Sequence, residues 1–248
     1  AYFMLASGAS WRSFPKQRLR LYGYYLFKGL WPKALRPELF VSRFAFFAGG
    51  SGAERPDLSF LAEAGGVARM PVELSQRQLY YCVMPSSKWA GKKWPVPRYL
   101  SVIRAQEAQG YLPVILGTHG DPESRELVSL LLAAKIPHLS GVGVWTLEQT
   151  AQVLAASQAY LGNDTGLGHL AEALGVPALM IYGPTTPQMG FAPWRPESRA
   201  AGADLWCRPC SKDGRNCFRP VRRYHCMDLL TDASVSRYFG PLLENGKN

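Results

Sequence analysis

A helix start with several groups suited to phosphate binding is predicted within Tyr160–Pro187, which reads YLGNDTGLGHLAEALGVPALMIYGPTTP. Asp164 or Thr165 would cap a helix of apolar periodicity. The unpaired N–H groups and the positive dipole end of such a helix attract anions. Gly166 would keep the first turn bare of side chains, and His169 would project from the same end because it follows Thr165 by about one helical turn.

Two short apolar runs flank this helix and predict strands. Ala159–Leu161 precedes the helix and Ala178–Tyr182 follows it, and neither alternates with polar residues, which is typical of parallel strands buried on both faces. The second strand ends in the loop Gly183–Pro187. Two such loops at one sheet edge predict a crevice for a diphosphate. The spacing is equally compatible with an ordinary capped helix whose His169 bonds a nearby carbonyl group.

The same segment resembles the signature of the heptosyltransferases, which are glycosyltransferases that use ADP-heptose to build the inner core of lipopolysaccharide. Asp-Thr-Gly-x-x-His-Leu is followed by an Ala-rich helix and, after the next strand, by Gly-Pro-Thr-x-Pro, in the family's order and spacing. The resemblance implies an α/β protein with the GT-B fold of two Rossmann-like domains. It also implies that the ADP-sugar donor binds at six positions, which are Asp164, Thr165, Gly166, His169, Gly183 and Thr185.

A second stretch, Met84–Pro95, reads MPSSKWAGKKWP and resembles the family's loop of a Ser/Thr pair and a Lys shortly before Trp-Pro. The match implies that Ser86 and Ser87 bond the donor diphosphate and that Lys92 neutralises it. A Lys suits this position because negative charge develops on the departing nucleotide. An exposed basic loop without a ligand is the other interpretation. Two further cations in the loop are alternatives to Lys92, namely Lys88 and Lys93.

An aromatic residue is expected beside the nucleobase. Trp145 stands where the family places an apolar residue, directly before Thr146-Leu147-Glu148-Gln149. The resemblance therefore implies that Trp145 stacks on adenine, which a rigid aromatic ring can do at little entropic cost. Burial in the core is the alternative. A further loop, GTHGD, ends another predicted strand at the same edge, so His119 or Asp121 is a candidate contact to the ribose.

The catalytic base stays unassigned. In the family an aspartate in the opening loop of the first domain takes the proton of the acceptor hydroxyl, and no carboxylate of this sequence matches that motif. Loss of a general base typically removes a factor of about 10²–10⁴ in rate. We therefore expect a first domain that lacks its opening βα units, and a chain that binds nucleotide but transfers little sugar. No metal is expected for catalysis, because Lys92, the helix amides and the loop Gly183–Thr186 would stabilise the diphosphate.

The chain is predicted to contain two domains of unequal completeness. Residues 1–75 would be the remnant of the acceptor-side domain, and 76–248 the donor-binding Rossmann-like domain. From Leu79 onward apolar strands alternate with helical segments, as in a doubly wound parallel sheet. Besides the elements above, strands are predicted at Tyr2–Ala6, Leu79–Met84, Leu112–Leu116 and Ile136–Leu139, and helices at Pro95–Gln109, Pro122–Ala134, Leu147–Ala156 and Ser234–Leu243.

The net charge of +10 is concentrated in two basic patches. Residues 11–43 carry eight Lys or Arg and one acidic residue, and residues 207–226 carry six and one. Such patches attract phosphorylated partners. The first patch, which also contains several aromatic residues, suits a lipid A or lipopolysaccharide core acceptor and contact with the inner-membrane surface.

The sequence lacks an apolar run of roughly 20 residues that could span a membrane, and it lacks a signal-peptide pattern. We therefore expect a cytoplasmic enzyme, peripheral on the inner membrane.

An acceptor that is a protein instead of lipopolysaccharide is an alternative. A rival from another class is a basic four-cysteine module that binds nucleic acid. That hypothesis leaves the DTGLGHL segment unexplained, so no nucleic-acid partner is expected.

Four cysteines form a further candidate site. Cys207, Cys210, Cys217 and Cys226 follow the spacing C-x2-C-x6-C-x8-C within a segment that also contains Pro, Arg and Gly. A pair of cysteines at x2 spacing with two more nearby is typical of a tetrahedral thiolate site for structural zinc or iron. Free thiols are the alternative, because disulfides are rare in the cytoplasm.

Overall fold

Short apolar runs form six strands, namely β1 Tyr80–Met84, β2 Leu112–Ile115, β3 Leu139–Ser140, β4 Tyr160–Asn163, β5 Ala178–Ile181 and β6 Arg199–Ala201. The computed structural model describes residues 79–244, apart from 108 and 212, together with Arg55, Asp57, Leu58 and Leu74. The strands make one sheet in the order β3-β2-β1-β4-β5-β6, and every neighbouring pair is parallel. The predicted α/β fold with a doubly wound parallel sheet is confirmed for this part of the chain.

The connections between strands are helical where the sequence predicts helices. Six α-helices occur among the described residues, namely α1 Val96–Glu107, α2 Pro122–Ala133, α3 Leu147–Ala155, α4 Gly166–Ala173, α5 His225–Leu229 and α6 Asp232–Glu244. Short 3-10 helices lie at Ala90–Lys92 and Pro187–Met189. The sequence analysis missed β6 and α5, because both are short and neither has an apolar period.

The third strand begins later than predicted. The apolar run suggested a strand over Ile136–Leu139, whereas β3 comprises Leu139 and Ser140 and pairs with Val114 and Ile115. Pro137 has no N–H group to give to the sheet, which favours a start after it.

Alternation of side chains along the strands divides the core between the two faces of the sheet. Tyr81 and Val83 of β1 pack with α1, α2 and α6, whereas Tyr80 and Cys82 of the same strand pack with α3 and α4. Successive side chains of a strand point to opposite faces. Both faces are thus covered by helices, which explains why these strands are continuous apolar runs.

The central pair of strands creates a crevice at the carboxyl edge of the sheet. β1 pairs with β2 on one side and with β4 on the other, so the order of connection reverses between β1 and β4. Loops that leave β1 and β4 diverge to opposite faces at such a point, and ligands of doubly wound sheets bind there. Apart from Trp145, which follows β3, the candidate donor residues follow β1, β4 and β5, which are neighbours in the sheet.

Two compact units divide the chain. One comprises Asp57–Pro187 and Ala192–Asn248, and the other comprises Ala1–Pro56 and Gln188–Phe191. Within the larger unit, Leu58 N donates to Ala173 O at 2.9 Å, and Leu74 is buried in the core on the α3–α4 face. The predicted strand Tyr2–Ala6, the basic aromatic stretch 11–43 and the expected domain boundary near residue 75 lie outside the described residues.

Within the described ranges, no helix combines the length and the apolar character that a bilayer-spanning helix needs.

A buried amide joins the first and fourth strands. Asn163, at the end of β4, is fully buried, and its Oδ1 accepts hydrogen bonds from Trp94 N at 3.2 Å and Tyr99 Oη at 3.0 Å. Its Nδ2 donates to Pro85 O at 2.5 Å. One side chain therefore fixes the loop after β1 against the end of β4.

We predict that Asn163→Ala destabilises the protein by about 3 kcal/mol or more, because it leaves three buried polar groups without partners, each costing about 1–3 kcal/mol. Ser101→Ala is the matched control, since it removes one exposed hydroxyl bond to Pro97 O and should change stability by less than about 0.5 kcal/mol. Urea unfolding followed by circular dichroism measures both. Equal midpoints for the two variants would contradict this role of Asn163.

Candidate functional site

Three loops meet around the carboxylate of Asp164. Its side chain is only 3% exposed, and Oδ2 lies 2.5 Å from Lys92 Nζ and 3.0 Å from Thr185 Oγ1. Lys92 belongs to the loop after β1, Asp164 follows β4, and Thr185 follows β5. The backbone holds Asp164 in place as well, because its N donates to Ile181 O at 2.9 Å. The structure thus brings together three of the residues that the sequence assigned to donor binding.

Lys92 is the cation of its loop that faces this cluster. Besides the carboxylate, its Nζ donates to Asp164 O at 3.3 Å. An ammonium group has three protons, so one remains for a ligand. The two alternatives lie elsewhere, since Lys93 pairs with Glu123 and Lys88 is exposed with its Nζ 5.2 Å from the ring centre of Trp89.

The helix N-terminus presents a bare turn. Thr165 is the N-cap of α4, but its side chain makes no capping bond, and its Oγ1 lies 3.4 Å from Tyr160 Oη. The expected side-chain cap by Asp or Thr is therefore absent, because Asp164 is bound to Lys92 and Thr185. At Gly166 a Cβ atom would meet no other atom within 4 Å, so space for a ligand remains open. The first N–H groups of a helix have no intrahelical acceptor and are available to that ligand.

His169 lies on α4 one turn from Thr165 and is partly exposed. Its imidazole stacks on the indole of Trp194, with ring centres 5.6 Å apart and an interplanar angle of 7°. The sequence interpretation in which His169 bonds a nearby carbonyl does not describe this arrangement. Its Nδ1 is 3.7 Å from Glu172 Oε2, too far for a hydrogen bond.

The serine pair has two different environments. Ser86 is 1% exposed, and its Oγ accepts a hydrogen bond from Ser124 N at 3.2 Å and lies 3.0 Å from Ser124 Oγ. Ser124 in turn donates from Oγ to Leu116 O at 2.8 Å. Ser86 therefore fastens the loop after β1 to the start of α2. Ser87 is half-buried and is the more accessible hydroxyl for a ligand.

Trp145 is half-buried at the rim of the same sheet edge. Its ring packs directly on Gly141 and against the core on the α3–α4 face. Part of the ring is exposed and could contact a base, and the stacking on adenine remains a prediction.

Of the two candidate ribose contacts, Asp121 uses Oδ2 to accept hydrogen bonds from Thr118 N at 2.6 Å and Thr118 Oγ1 at 2.9 Å. His119 is exposed and packs against Gly143.

A partly buried arginine, Arg208, fixes the loop after β5 on the side away from Asp164. Its guanidinium donates to the carbonyl groups of Gly183 and Ala203, to Tyr182 O at 3.0 Å and to Thr185 O at 3.2 Å. Burial lowers the pKa of Arg208, and neighbouring cysteines act in the opposite direction. Sequence reasoning counted Arg208 only as a charge of the second basic patch.

The loop after β5 also has a polar group left for a ligand. Thr185 is fully buried, and Thr186 is 7% exposed. Thr186 Oγ1 has no hydrogen-bond partner among the described residues. Because a buried hydroxyl is costly to leave unpaired, this group favours a polar ligand in the crevice.

The cysteine segment 207–226 packs against two of the donor loops. Cys210 N donates to Pro184 O at 3.0 Å, and a Cβ atom on Gly91 would collide with Gly214 O and the ring of Tyr224. The loop after β1 and the cysteine segment therefore approach backbone to backbone, and the absence of a side chain at Gly91 permits that contact. The segment forms the rear wall of the crevice.

None of the five cysteines forms a disulfide in this structure, and Cys82 is buried in β1. Cys217 Sγ accepts a hydrogen bond from Tyr224 N at 3.5 Å. Burial raises the pKa of Cys226 to about 11. In the part of the chain that the structure describes, no three His, Cys, Asp or Glu side chains are arranged to hold a metal ion. The arrangement does not fit a zinc or iron site as it stands, and the metal site stays a sequence prediction.

Three residues that the sequence analysis did not select support this site. Asn163, Arg208 and Glu172 are all polar and largely buried, and each bonds backbone groups of a distant loop. The adjacency of Asn163 to Asp164 in the motif was the only available signal. The roles of Arg208 and Glu172 had no such signal, because their hydrogen-bond partners are brought close only when the loops fold.

Comparisons with known proteins agree with this architecture. The family model for glycosyltransferase family 9 (heptosyltransferase) matches residues 53–217. Lipopolysaccharide heptosyltransferase 1 of Pseudomonas aeruginosa is 34% identical over 136 residues, covering 54% of this chain and 36% of that protein. Lipopolysaccharide heptosyltransferase 2 of Salmonella typhimurium is 33% identical over 98 residues, covering 39% of this chain and 28% of that protein. The chain thus spans about a third of the length of these relatives.

Solved structures share the fold. ADP-heptose lipopolysaccharide heptosyltransferase II of E. coli superposes with a TM-score of 0.63 at 19% identity, covering 86% of this chain and 64% of that chain. The dodecameric, iron-containing heptosyltransferase TibC, in complex with ADP-D-beta-D-heptose, gives a TM-score of 0.60 at 19% identity and covers 83% of this chain and 53% of that chain. Because the family model matches well over half of the sequence, the chain belongs to glycosyltransferase family 9, the heptosyltransferase family.

Proposed function

We propose that the described domain binds the diphosphate of an ADP-sugar, and that the protein transfers heptose or a related sugar from it to a lipopolysaccharide core acceptor. Family membership supports the reaction class, and relatives carry the names of lipopolysaccharide heptosyltransferases. The observation that carries the proposal is the cluster of Lys92, Asp164 and Thr185 beside the N-terminus of α4. A nucleic-acid module would not require that cluster.

The proposed chemistry is an inverting displacement. The acceptor oxygen forms a bond to the anomeric carbon of the donor while the bond from that carbon to the diphosphate oxygen breaks, and a base takes the acceptor proton. Negative charge grows on the departing diphosphate, and fixed positive groups lower the barrier by stabilising it. Lys92 and the first amides of α4 supply that positive charge, so the proposal routes no step through a metal.

The other contacts to the donor, the catalytic base and the acceptor site are proposed as follows. Trp145 is proposed to stack on the adenine, and Ser87 with Thr186 to bond the diphosphate. The base and the acceptor site are proposed to belong to the acceptor-side domain, which includes the basic stretch 11–43. We further propose a cytoplasmic protein that meets a lipid-anchored acceptor at the inner-membrane surface. If the acceptor were a protein instead of lipopolysaccharide, the proposed donor site would be the same.

We predict that Gly166→Ala keeps the fold and weakens ADP binding about tenfold or more. A methyl group at this position meets no protein atom, so a loss of affinity reports the space that the ligand needs. Gly240→Ala in α6 is the matched control, because a Cβ atom there also meets nothing within 4 Å and a helical Gly→Ala change typically stabilises by about 0.5–1 kcal/mol. Calorimetric titration with ADP, after thermal unfolding has verified folding, measures the difference. Wild-type affinity in Gly166→Ala would contradict the proposed ligand position.

We propose a structural role for the cysteine segment, because it forms the rear wall of the donor crevice. Protein prepared anaerobically from cytosol should contain either about one zinc or iron per chain, as a tetrahedral thiolate site would hold, or four titratable thiols in the segment. Metal analysis and thiol counting decide between these states. Two disulfides would contradict both.

The thiols should also differ in reactivity. Burial raises the pKa of Cys82 to about 12, so alkylation of metal-free protein at pH 8 should reach the partly exposed Cys210 and Cys217 first and Cys82 only after unfolding. Mass spectrometry of the alkylated peptides gives the order. Early labelling of Cys82 would contradict its buried position in β1.

A further inference from the structure

A buried carboxylate on α4 fixes a loop that the sequence gives no reason to place there. Glu172 is 1% exposed, and its Oε1 accepts hydrogen bonds from Trp194 N at 2.8 Å and Arg195 N at 3.0 Å. Two charge-assisted bonds to successive amides hold the backbone of this loop against the helix. As a result the indole of Trp194 is brought over α4.

The second oxygen of the same carboxylate faces His169. Glu172 Oε2 and His169 Nδ1 are 3.7 Å apart, and both are buried atoms without a hydrogen-bond partner among the described residues. The imidazole is stacked in parallel on Trp194. Three contacts thus constrain the ring, namely its attachment to α4, the indole face and the carboxylate.

Because both atoms lack a partner, they indicate which tautomer His169 adopts. A buried carboxylate oxygen without a partner is costly, and so is a buried imidazole nitrogen. A shift of less than 1 Å would bring the two atoms within hydrogen-bond distance. Since the carboxylate can only accept, the proton of that bond must be on Nδ1. The hydrogen bond of one ring nitrogen decides which tautomer a histidine adopts.

We propose that Glu172 is a positioning residue for His169, which keeps the imidazole proton on Nδ1 and leaves Nε2 to accept a hydrogen bond from a sugar hydroxyl of the donor. Nδ1 is buried whereas 28% of the side chain is exposed, so Nε2 is the nitrogen left toward the crevice. This inference rests on the proposed function, because it assigns His169 to the donor sugar.

Glu172→Gln separates this role from the structural one. A glutamine keeps one carbonyl oxygen for the amides of Trp194 and Arg195, but it turns an NH2 donor toward Nδ1. The loop should therefore stay in place while the His169 proton moves to Nε2. Glu126→Gln, the same change at an exposed position of α2, is the matched control.

Long-range ¹⁵N–¹H correlation spectra of the nucleotide-free protein report the tautomer, and His169→Asn assigns the His169 signals. The expected result is a proton on Nδ1 in the wild type and in Glu126→Gln, and on Nε2 in Glu172→Gln. ADP-heptose should bind about tenfold more weakly to Glu172→Gln, as expected for one lost hydrogen bond.

Two results have different consequences. An unchanged His169 tautomer in Glu172→Gln, with the circular dichroism of the folded wild type, would overturn the inference. A changed tautomer with full donor affinity in both Glu172→Gln and His169→Ala would overturn the assignment of His169 to the donor site.

Discussion

The site depends on one largely buried ion pair, between Lys92 and Asp164. Its two charges come from loops that follow strands β1 and β4, and they meet at 2.5 Å with the carboxylate 3% exposed. Removal of one partner from a buried pair leaves an uncompensated charge and typically costs about 3–5 kcal/mol. The pair therefore holds the two loops at a fixed distance, and it places a lysine with one free proton next to the N-terminus of α4. Thr185 extends the same constraint to the loop after β5.

The cysteine segment and Arg208 supply the support behind this pair. Arg208 donates to four carbonyl groups, three of which belong to Tyr182, Gly183 and Thr185, so the loop that carries Thr185 is fixed on its far side. These hydrogen bonds direct the guanidinium of Arg208 toward the protein backbone. Positive charge for a ligand is thus left to Lys92 and to the N-terminus of α4.

Much of this architecture could be predicted from the sequence, because buried parallel strands appear as continuous apolar runs. The ends of β1, β4 and β5 place Lys92, Asp164 and Thr185 at one edge, and their convergence follows from that. Choosing Lys92 over Lys88 and Lys93 needed the folded loop. The roles of Glu172 and Ser86 could not be foreseen, since their partners Trp194 and Ser124 lie 22 and 38 residues away. Ser86 also shows that a hydroxyl at a motif position can be used for internal packing.

The central claim is that Lys92 meets the second phosphate of the nucleotide. Calorimetric titration of ADP and AMP tests it in the wild type, in Lys92→Gln, which retains a donor for Asp164, and in Lys88→Gln as the exposed control. The account predicts that the wild type and Lys88→Gln prefer ADP over AMP, and that Lys92→Gln loses this preference. A preference for ADP that survives in folded Lys92→Gln would contradict the account.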